Sequence, residues 1–532
     1  MPEMGSSAWF QSASNLYQKR FWFLIDKNAF RSLNLVASFR DLSSDDTRKR
    51  VLLSLAITQL LVQLSTIPMA LSVPSMAEDF NIDVSQAAWT VIARLLVLGS
   101  TVFFFARLGS KIGHVRVYFA GAGFMALGSA LAVTSTDIYQ AVLWSGFVGV
   151  GASMITSNSN PILALIFSDT ERGRAYSIPI IAARVGTLLG MALFGVFLQF
   201  FSWRLVFLTS VPVGLYAMWM AKPLLKYEIL QAGEAAKKLV LGTPSAFLMM
   251  ATLAVFILSG LHMHEGDESF VSSEALEYHL PMHGLFLAMA ALFIFVQRAS
   301  AQPFLNFGHF KKRQFSMALF SDHTFHMSMM AVVTLVPILV ENGLGYDPIV
   351  ASMVLIPGQF LGIFLPLIAG YYFDKSKPRW IRPGGLLAIA SGFVLLALFS
   401  GQVPIWVLPI LLVPSFIGTH TFNAPSNAMI MNSLPEDKSF ASGVMETSRQ
   451  MGHTIGATLA AAMLGLALPV SISFMTDVQA GPFYQTGFQY AATAVIFTML
   501  AGALVAAYQE GIIRKPFGKS QVELEAPLTA DD

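Results

Sequence analysis

Between two long apolar runs, 88–106 and 115–135, the chain reads Ala106-Arg107-Leu108-Gly109-Ser110-Lys111-Ile112-Gly113. Each run is roughly 20 residues, enough for a helix to cross about 30 Å of hydrocarbon. Basic connections between spanning helices stay on the cytoplasmic side during insertion, so this turn fixes inside and outside for its neighbours. Outward from it, basic segments recur at Lys19 to Arg50, Arg172/Arg174, Lys222 to Lys238, Arg298 to Arg313, Lys375 to Arg382, Lys438 and Arg514 to Lys519. The seven hydrophilic segments between them carry one basic residue, Arg204, and several are acidic, such as Glu78/Asp79/Asp83 and Glu265/Asp267/Glu268/Glu274/Glu277. Eight basic segments alternating with seven others predict fourteen crossings, with both termini cytoplasmic.

Composition supports that reading. Hydrophobic residues make up 55% of the 532 residues, charged residues 12%, and mean hydropathy is +0.62, all beyond what a soluble core requires. No series of ~10-residue alternating segments points to a barrel, so the expected fold is an all-α polytopic membrane protein. A net charge of +2 argues against a nucleic-acid partner, and local charge carries the information instead. With no cysteine there is no disulfide, thiolate metal site or cysteine nucleophile.

The expected spans are 51–73, 88–106, 115–135, 138–167, 175–200, 203–224, 243–264, 282–298, 314–340, 348–373, 381–400, 404–432, 440–468 and 484–508. They divide the chain into a cytoplasmic segment 1–50, a six-helix bundle 51–224, a linker 225–313 with two extra helices, a second bundle 314–508, and a tail 509–532. In the first segment the apolar patch Phe21 to Ile25 is too short to span, which leaves an interfacial helix or a solvated tail. The turn at 106–113 has a counterpart after the second helix of the other bundle, Gly370-Tyr371-Tyr372-Phe373-Asp374-Lys375. Internal repetition of this kind marks transporters built from two halves.

From these residues outward the chain resembles the major facilitator superfamily, and within it the fourteen-helix drug:proton antiporter branch, over about residues 51–508. The resemblance is carried by Ser202-Trp203-Arg204-Leu205-Val206-Phe207-Leu208 through Val211-Pro212-Val213-Gly214, by Ala301-Gln302-Pro303-Phe304-Leu305, by Gly343-Leu344-Gly345-Tyr346 with Ile356-Pro357-Gly358, and by Ser448-Arg449-Gln450-Met451-Gly452. It implies alternating access and export coupled to proton entry at the plasma membrane, the inner membrane in a bacterium. It also implies Arg107, Gly109, Gly113, Asp374 and Lys375 as gating-loop residues. The chain departs from the pattern at Ser65, where the first helix usually has an acid, and at Ser110, the acid position of the first loop. Further departures are Ser145 in place of an arginine and Met191 in place of a proline. Proton antiport therefore does not carry over automatically.

Ionisable side chains in hydrocarbon are costly and should face a cavity or a partner. Glu446, Arg449 and His453 fall within about a 60° arc of one helix. They suit either proton uptake and release at Glu446 or an internal Glu446–Arg449 ion pair. Asp322 and His326, four residues apart, suit a proton relay or a solvated vestibule, and lack the further ligands a metal site needs. Arg94 and Arg184 have no acid in the predicted membrane portion of their own half. Guanidinium forks of this kind favour carboxylate or phosphate recognition, the alternative being an interhelical hydrogen bond or a gate. Polar candidates for a cavity wall are Asn158, Asn160, Gln359, Asn423 and Asn427.

The absence of a phosphate-loop motif leaves a gradient as the energy source, and no acid/base or metal constellation supports an enzyme. The leading expectation is a proton-coupled exporter of a small organic molecule or drug, using protons, the lipid bilayer and no cofactor. In a Gram-negative cell a periplasmic adaptor protein is an admissible partner. The runner-up is a carrier of a defined anionic metabolite, and a membrane-embedded enzyme or non-transporting sensor ranks below both.

Overall fold

The computed structural model describes residues 40–82, 84–200, 202–227, 243–260, 273–300, 303–469 and 475–513. Most of the amino-terminal segment, much of the linker, the acidic stretch around Glu265 and the basic tail Arg514 to Lys519 lie outside the described residues. Among the described residues there is no strand, and fourteen helices are seventeen residues or longer. The first six are α1 (Asp46–Leu71), α2 (Val84–Ile112), α3 (His114–Val133), α4 (Ile138–Ile166), α5 (Arg172–Phe200) and α6 (Arg204–Ala221). An inserted pair follows, α7 (Thr243–Ser259) and α8 (Ser273–Ala299). The last six are α9 (Arg313–Ile338), α10 (Pro348–Ser376), α11 (Ile381–Phe399), α12 (Leu408–Ser433), α13 (Lys438–Gly465) and α14 (Asp477–Gln509). Nine helices of the described residues are long and apolar enough to cross a membrane by length and composition. The helix α13 is not among them, in keeping with the polar stripe it carries.

Three helix limits differ from the sequence expectation for local reasons. A short helix, Val73–Phe80, follows α1 because Pro74 stands in its first turn, where a missing N–H costs nothing. The helix α8 begins nine residues before 282, where Tyr278 donates to the Leu258 carbonyl at 2.7 Å and His279 Nδ1 lies 2.8 Å from that of Ser259, tying its first turns to α7. The start of α14 is set by a capping box between Thr476 and Gln479.

The two sets of six pack alike. In the first, α1 contacts α5 and α6, α4 contacts α2 and α3, and α3 contacts α6; in the second, α9 contacts α13 and α14, α12 contacts α10 and α11, and α11 contacts α14. Adding eight to each helix number of the first set yields the second. Across the seam α5 meets α10 and α12, and α13 meets α2 and α4. The inserted pair leans on α2 and α13 through α7.

The seam is sealed toward the basic end of the bundle. The largest apolar core runs through both halves there, joining Phe103 and Phe167 to Ala369, Phe373 and Phe440. The two other apolar clusters each stay within one half. Polar bonds follow the same distribution. Asp374 accepts from the backbone N–H groups of Gly173 and Arg174 at 2.8 and 2.9 Å and from Arg174 Nε at 3.0 Å, so an acid of α10 caps the amino end of α5. Arg107 pairs with Asp437 at 3.1 Å, Lys438 donates to the Ala164 carbonyl at 2.8 Å, and Arg172 donates to Asn432. Backbones touch at this latch: a Cβ on Gly370 would lie 2.3 Å from the Gly173 carbonyl oxygen.

Candidate functional site

Behind the latch, toward the middle of the seam, lies a cavity of about 270 Å³ walled by α1, α4 and α5 of one half and α9, α12 and α13 of the other. Its titratable wall is built from α9 and α13. A Cβ on Gly456 would lie 2.2 Å from the Met327 carbonyl oxygen, so glycine lets the two helices approach until their side chains interlock. His326 Nδ1 then lies 3.2 Å from His453 Nε2, and His326 Nε2 lies 3.7 Å from Asp322 Oδ2. Ser426 of α12 donates to the other Asp322 oxygen at 3.1 Å. One turn from His453, Arg449 pairs with Glu446 at 2.9 Å, and Gln450 donates to Glu446 at 3.2 Å. His326 and His453 are thus in hydrogen-bond contact with Asp322 close by, beyond hydrogen-bond distance, and Glu446 with Arg449 borders the same cavity.

The structure separates the other expected site residues. Arg184 of α5 reaches the cavity, and its one polar contact within hydrogen-bond range among the described residues is Gln359 Oε1 of α10, at 3.4 Å. No ion pair to an acid is present for it among the described residues. Asn423 and Asn427 also line the cavity, each with a buried side-chain oxygen that has no protein partner among the described residues. Arg94 is elsewhere. Fully buried, it donates to the Ser65 carbonyl, to the Val62 carbonyl at 3.1 Å, and to the Ser65 and Thr66 hydroxyls at 2.9 and 2.7 Å. Ser65, which stands where the family usually has an acid, is therefore an acceptor for a neighbouring arginine. Asn158 lies outside the cavity wall as well, donating to the Phe105 carbonyl at 3.2 Å and facing His114 Nδ1 at 2.7 Å.

Among the gating-loop residues, Gly109 sits where a Cβ would fall 1.8 Å from Asn158 Oδ1, and Gly113 takes a φ of 104°. Lys375 lies over the Tyr371 ring, 5.2 Å from its centroid. Ser110 turns back to the Ala106 carbonyl, and the acid facing Arg107 comes from the other half, as Asp437. Asp437 also caps α13 by accepting from the Phe440 N–H at 2.9 Å. The absent loop acid is thus replaced by the cap of the helix it would have met.

Asn160, an expected wall residue, does line the cavity, while sequence reasoning missed Gln59, Gln63, Thr156, Tyr176 and Thr187, which share the polar wall of the first half with it and Arg184. Gln59 and Gln63 did leave a signal: two amides four residues apart in an otherwise apolar span share one helix face.

A polytopic bundle with a polar cavity at the seam of two pseudo-symmetric halves is a membrane transporter. The chain belongs to the Major Facilitator Superfamily, whose profile matches residues 53–457. It is similar to the riboflavin transporter RibZ of Clostridioides difficile, with 25% identity over 413 residues covering 76% of this chain and 86% of the relative. It is also 25% identical over 429 residues to the multidrug efflux pump LfrA of Mycolicibacterium smegmatis, covering 80% and 82%. The methyl viologen resistance protein SmvA of Salmonella typhimurium is 26% identical over 442 residues, covering 80% and 85%. Among solved structures, the human organic anion transporter MFSD10 superposes with a TM-score of 0.56 at 13% identity, covering 87% of this chain and all of that one, a likeness of fold. The protein is a multi-pass membrane transporter and not an enzyme.

Proposed function

We propose that the protein exports a small organic molecule across the plasma membrane by alternating access, exchanging it for protons. The observation that carries this reading is the line Asp322–His326–His453, with Glu446–Arg449 beside it, opening on a cavity between the two halves. A small shift that brings Asp322 within hydrogen-bond distance of His326 would let the three groups pass a proton. On this reading Glu446 is the carrier that a cargo can displace, and Arg449 is its resting partner. The units 51–224 and 314–508 rock about the cavity, with 225–313 as the inserted segment, and the basic end is cytoplasmic. LfrA, a multidrug efflux pump by name, supports export of organic molecules; the names of SmvA, a methyl viologen resistance protein, and RibZ, a riboflavin transporter, support a small heteroaromatic cargo.

The test is reconstitution into liposomes with an imposed pH gradient and a panel of organic cations, neutral heteroaromatics and organic anions. Cargo movement against its gradient, abolished by a protonophore, is the expected result. Movement indifferent to the pH gradient would overturn proton coupling.

A second reading rests on Arg184, a cavity cation without an acidic partner among the described residues. It is the transport of a defined anionic metabolite by symport, exchange or uniport, with the anion seated on Arg184 and Gln359.

A further inference from the structure

The segment after the inserted pair, Pro303 to Lys312, begins within one of the stretches that carry the family resemblance, Ala301 to Leu305, yet none of its residues lines the cavity. It lies against the place where α2 and α13 meet at the basic end. Phe103 of α2 and Phe440 of α13 face each other edge to face at 5.8 Å, and a Cβ on Gly443 would lie 2.8 Å from that of Ala106, so the two helices are in contact here. Rings of the connector bracket this junction. Phe304 packs edge to face on Phe103 at 5.2 Å and is buried, while His309 and Phe310 lie on Phe440 at 4.6 and 5.8 Å.

An ionic layer covers the rings. Lys312 pairs with Glu436, and His309 lies 3.9 Å from Glu436 and 3.8 Å from Asp437, the residue that holds Arg107 of α2. The hydrogen bond from Lys312 keeps the Glu436 carboxyl below the ordinary glutamate value. Leu305 N–H donates to Gln297 of α8 at 3.0 Å, which anchors the connector to the inserted pair.

We infer that the connector Pro303–Lys312 is a strap on the basic-end gate, with Phe304 as the positioning residue that holds α2 against α13 in the closed state. Opening this end requires Phe103 to leave Phe440 and Arg107 to leave Asp437. The connector is fixed to the second half through Phe310–Phe440 and Lys312–Glu436, so Phe304 is the part that reaches across to the first half. The inserted helices thereby gain a role: they carry a strap that biases the two-state gate.

The inference rests on the alternating-access reading, and the test separates the two. Because the chain has no cysteine, single reporters are clean. Ser442→Cys reports the basic-end seam, where Ser442 is buried and donates to the Ser157 carbonyl at 3.1 Å. Gln63→Cys reports the cavity wall. Labelling by an impermeant maleimide is followed on oriented vesicles, with and without Phe304→Ala.

Loss of one aromatic contact should raise the Ser442→Cys rate from the basic side about tenfold, equivalent to about 1.4 kcal/mol. Labelling of Gln63→Cys from the opposite side should fall. Phe304→Leu, which retains apolar bulk, should restore most of the closed behaviour, and equal monodispersity of all variants guards against misfolding. Unchanged rates at both reporters in folded Phe304→Ala would overturn the strap. A rise from both sides together would retain the strap and overturn alternating access.

Discussion

Two arginines that look equivalent in the sequence should behave differently when neutralised. Arg94 makes four contacts to α1, with two carbonyls and two hydroxyls, whereas the amide of Arg94→Gln offers two N–H donors on a shorter stem. At least two contacts are lost. Interhelical hydrogen bonds in membranes average about 0.6 kcal/mol and reach about 1.7, so the loss should be about 1–3 kcal/mol, offset in part because no unpaired cation remains buried. By the size scaling for domains of about 200 residues, the unfolding midpoint should fall by roughly 2–12 °C. Cargo affinity should be unchanged.

Arg184→Gln should do the reverse. It gives up one 3.4 Å contact to Gln359, so stability should barely move, while an anionic cargo should lose about 2–5 kcal/mol of binding. A lipophilic cation should bind as well or better. The assay pairs tryptophan-monitored thermal unfolding in detergent with binding of a carboxylate dye and of tetraphenylphosphonium. Arg94→Gln that weakens carboxylate binding at unchanged stability would refute the division. Unchanged affinity for every anion in folded Arg184→Gln would remove the second reading and leave the exporter of neutral or cationic molecules.

Glu446→Gln, which keeps shape but cannot titrate, should abolish proton-driven transport while leaving cargo binding largely intact; normal coupled turnover would transfer the role to Asp322. The Lys312–Glu436 pair is lost only as pH falls below the ordinary glutamate value of 4.5, because its carboxyl is held below that value, so Glu436→Gln should leave the pH profile of transport unchanged near neutrality. Gly370→Ala places a methyl 2.3 Å from the Gly173 carbonyl oxygen and should hold the basic end ajar, read as increased labelling of Ser442→Cys from that side; unaltered labelling would show that the latch has slack. For topology, a cysteine between Glu265 and Glu277 should react with an impermeant label from outside, and a cytoplasmic reporter after Lys519 should be active; the converse pattern sinks the proposed orientation.

The fold was legible because its determinants are one-dimensional. Charge alternation and apolar run length do not depend on which helix packs where, and they suffice for fourteen spans. The stripe of Glu446, Arg449 and His453 was legible for the same reason, since helical spacing alone puts those residues on one face. What the sequence hid depends on pairing between helices. His326 meets His453 because Gly456 lets α13 press against α9, and no local pattern names that neighbour. Arg94 and Arg184 carry the same chemistry in adjacent parts of one half, and they differ because α1 offers acceptors to one while the seam leaves the other facing the cavity. The capping of α5 by Asp374 belongs to this class too, being a contact between residues two hundred positions apart.

The connection between cavity and gate follows from two helices that carry both. Asp437, the cap of α13, and Phe440 in its first turn stand at the gate, and Glu446 lies about 14 Å beyond Asp437, at about 1.5 Å per residue. On α5, Asp374 caps the first turn and Arg184 lies roughly 16 Å beyond Gly173 by the same rise. On the proposed reading, a proton on Glu446 that releases Arg449, or an anion that draws Arg184 inward, would act through α13 or α5 on the Arg107–Asp437 pair and the Asp374 cap. Each ligand can move the gate only by the difference in its affinity for the two states, and a tenfold shift needs about 1.4 kcal/mol of it. One lost or gained charge contact in a desolvated cavity is worth at least that much. On that reading, the ionisable groups on α5 and α13 would suffice to switch the gate if the strap and the latch hold the closed state by a few kcal/mol and no more.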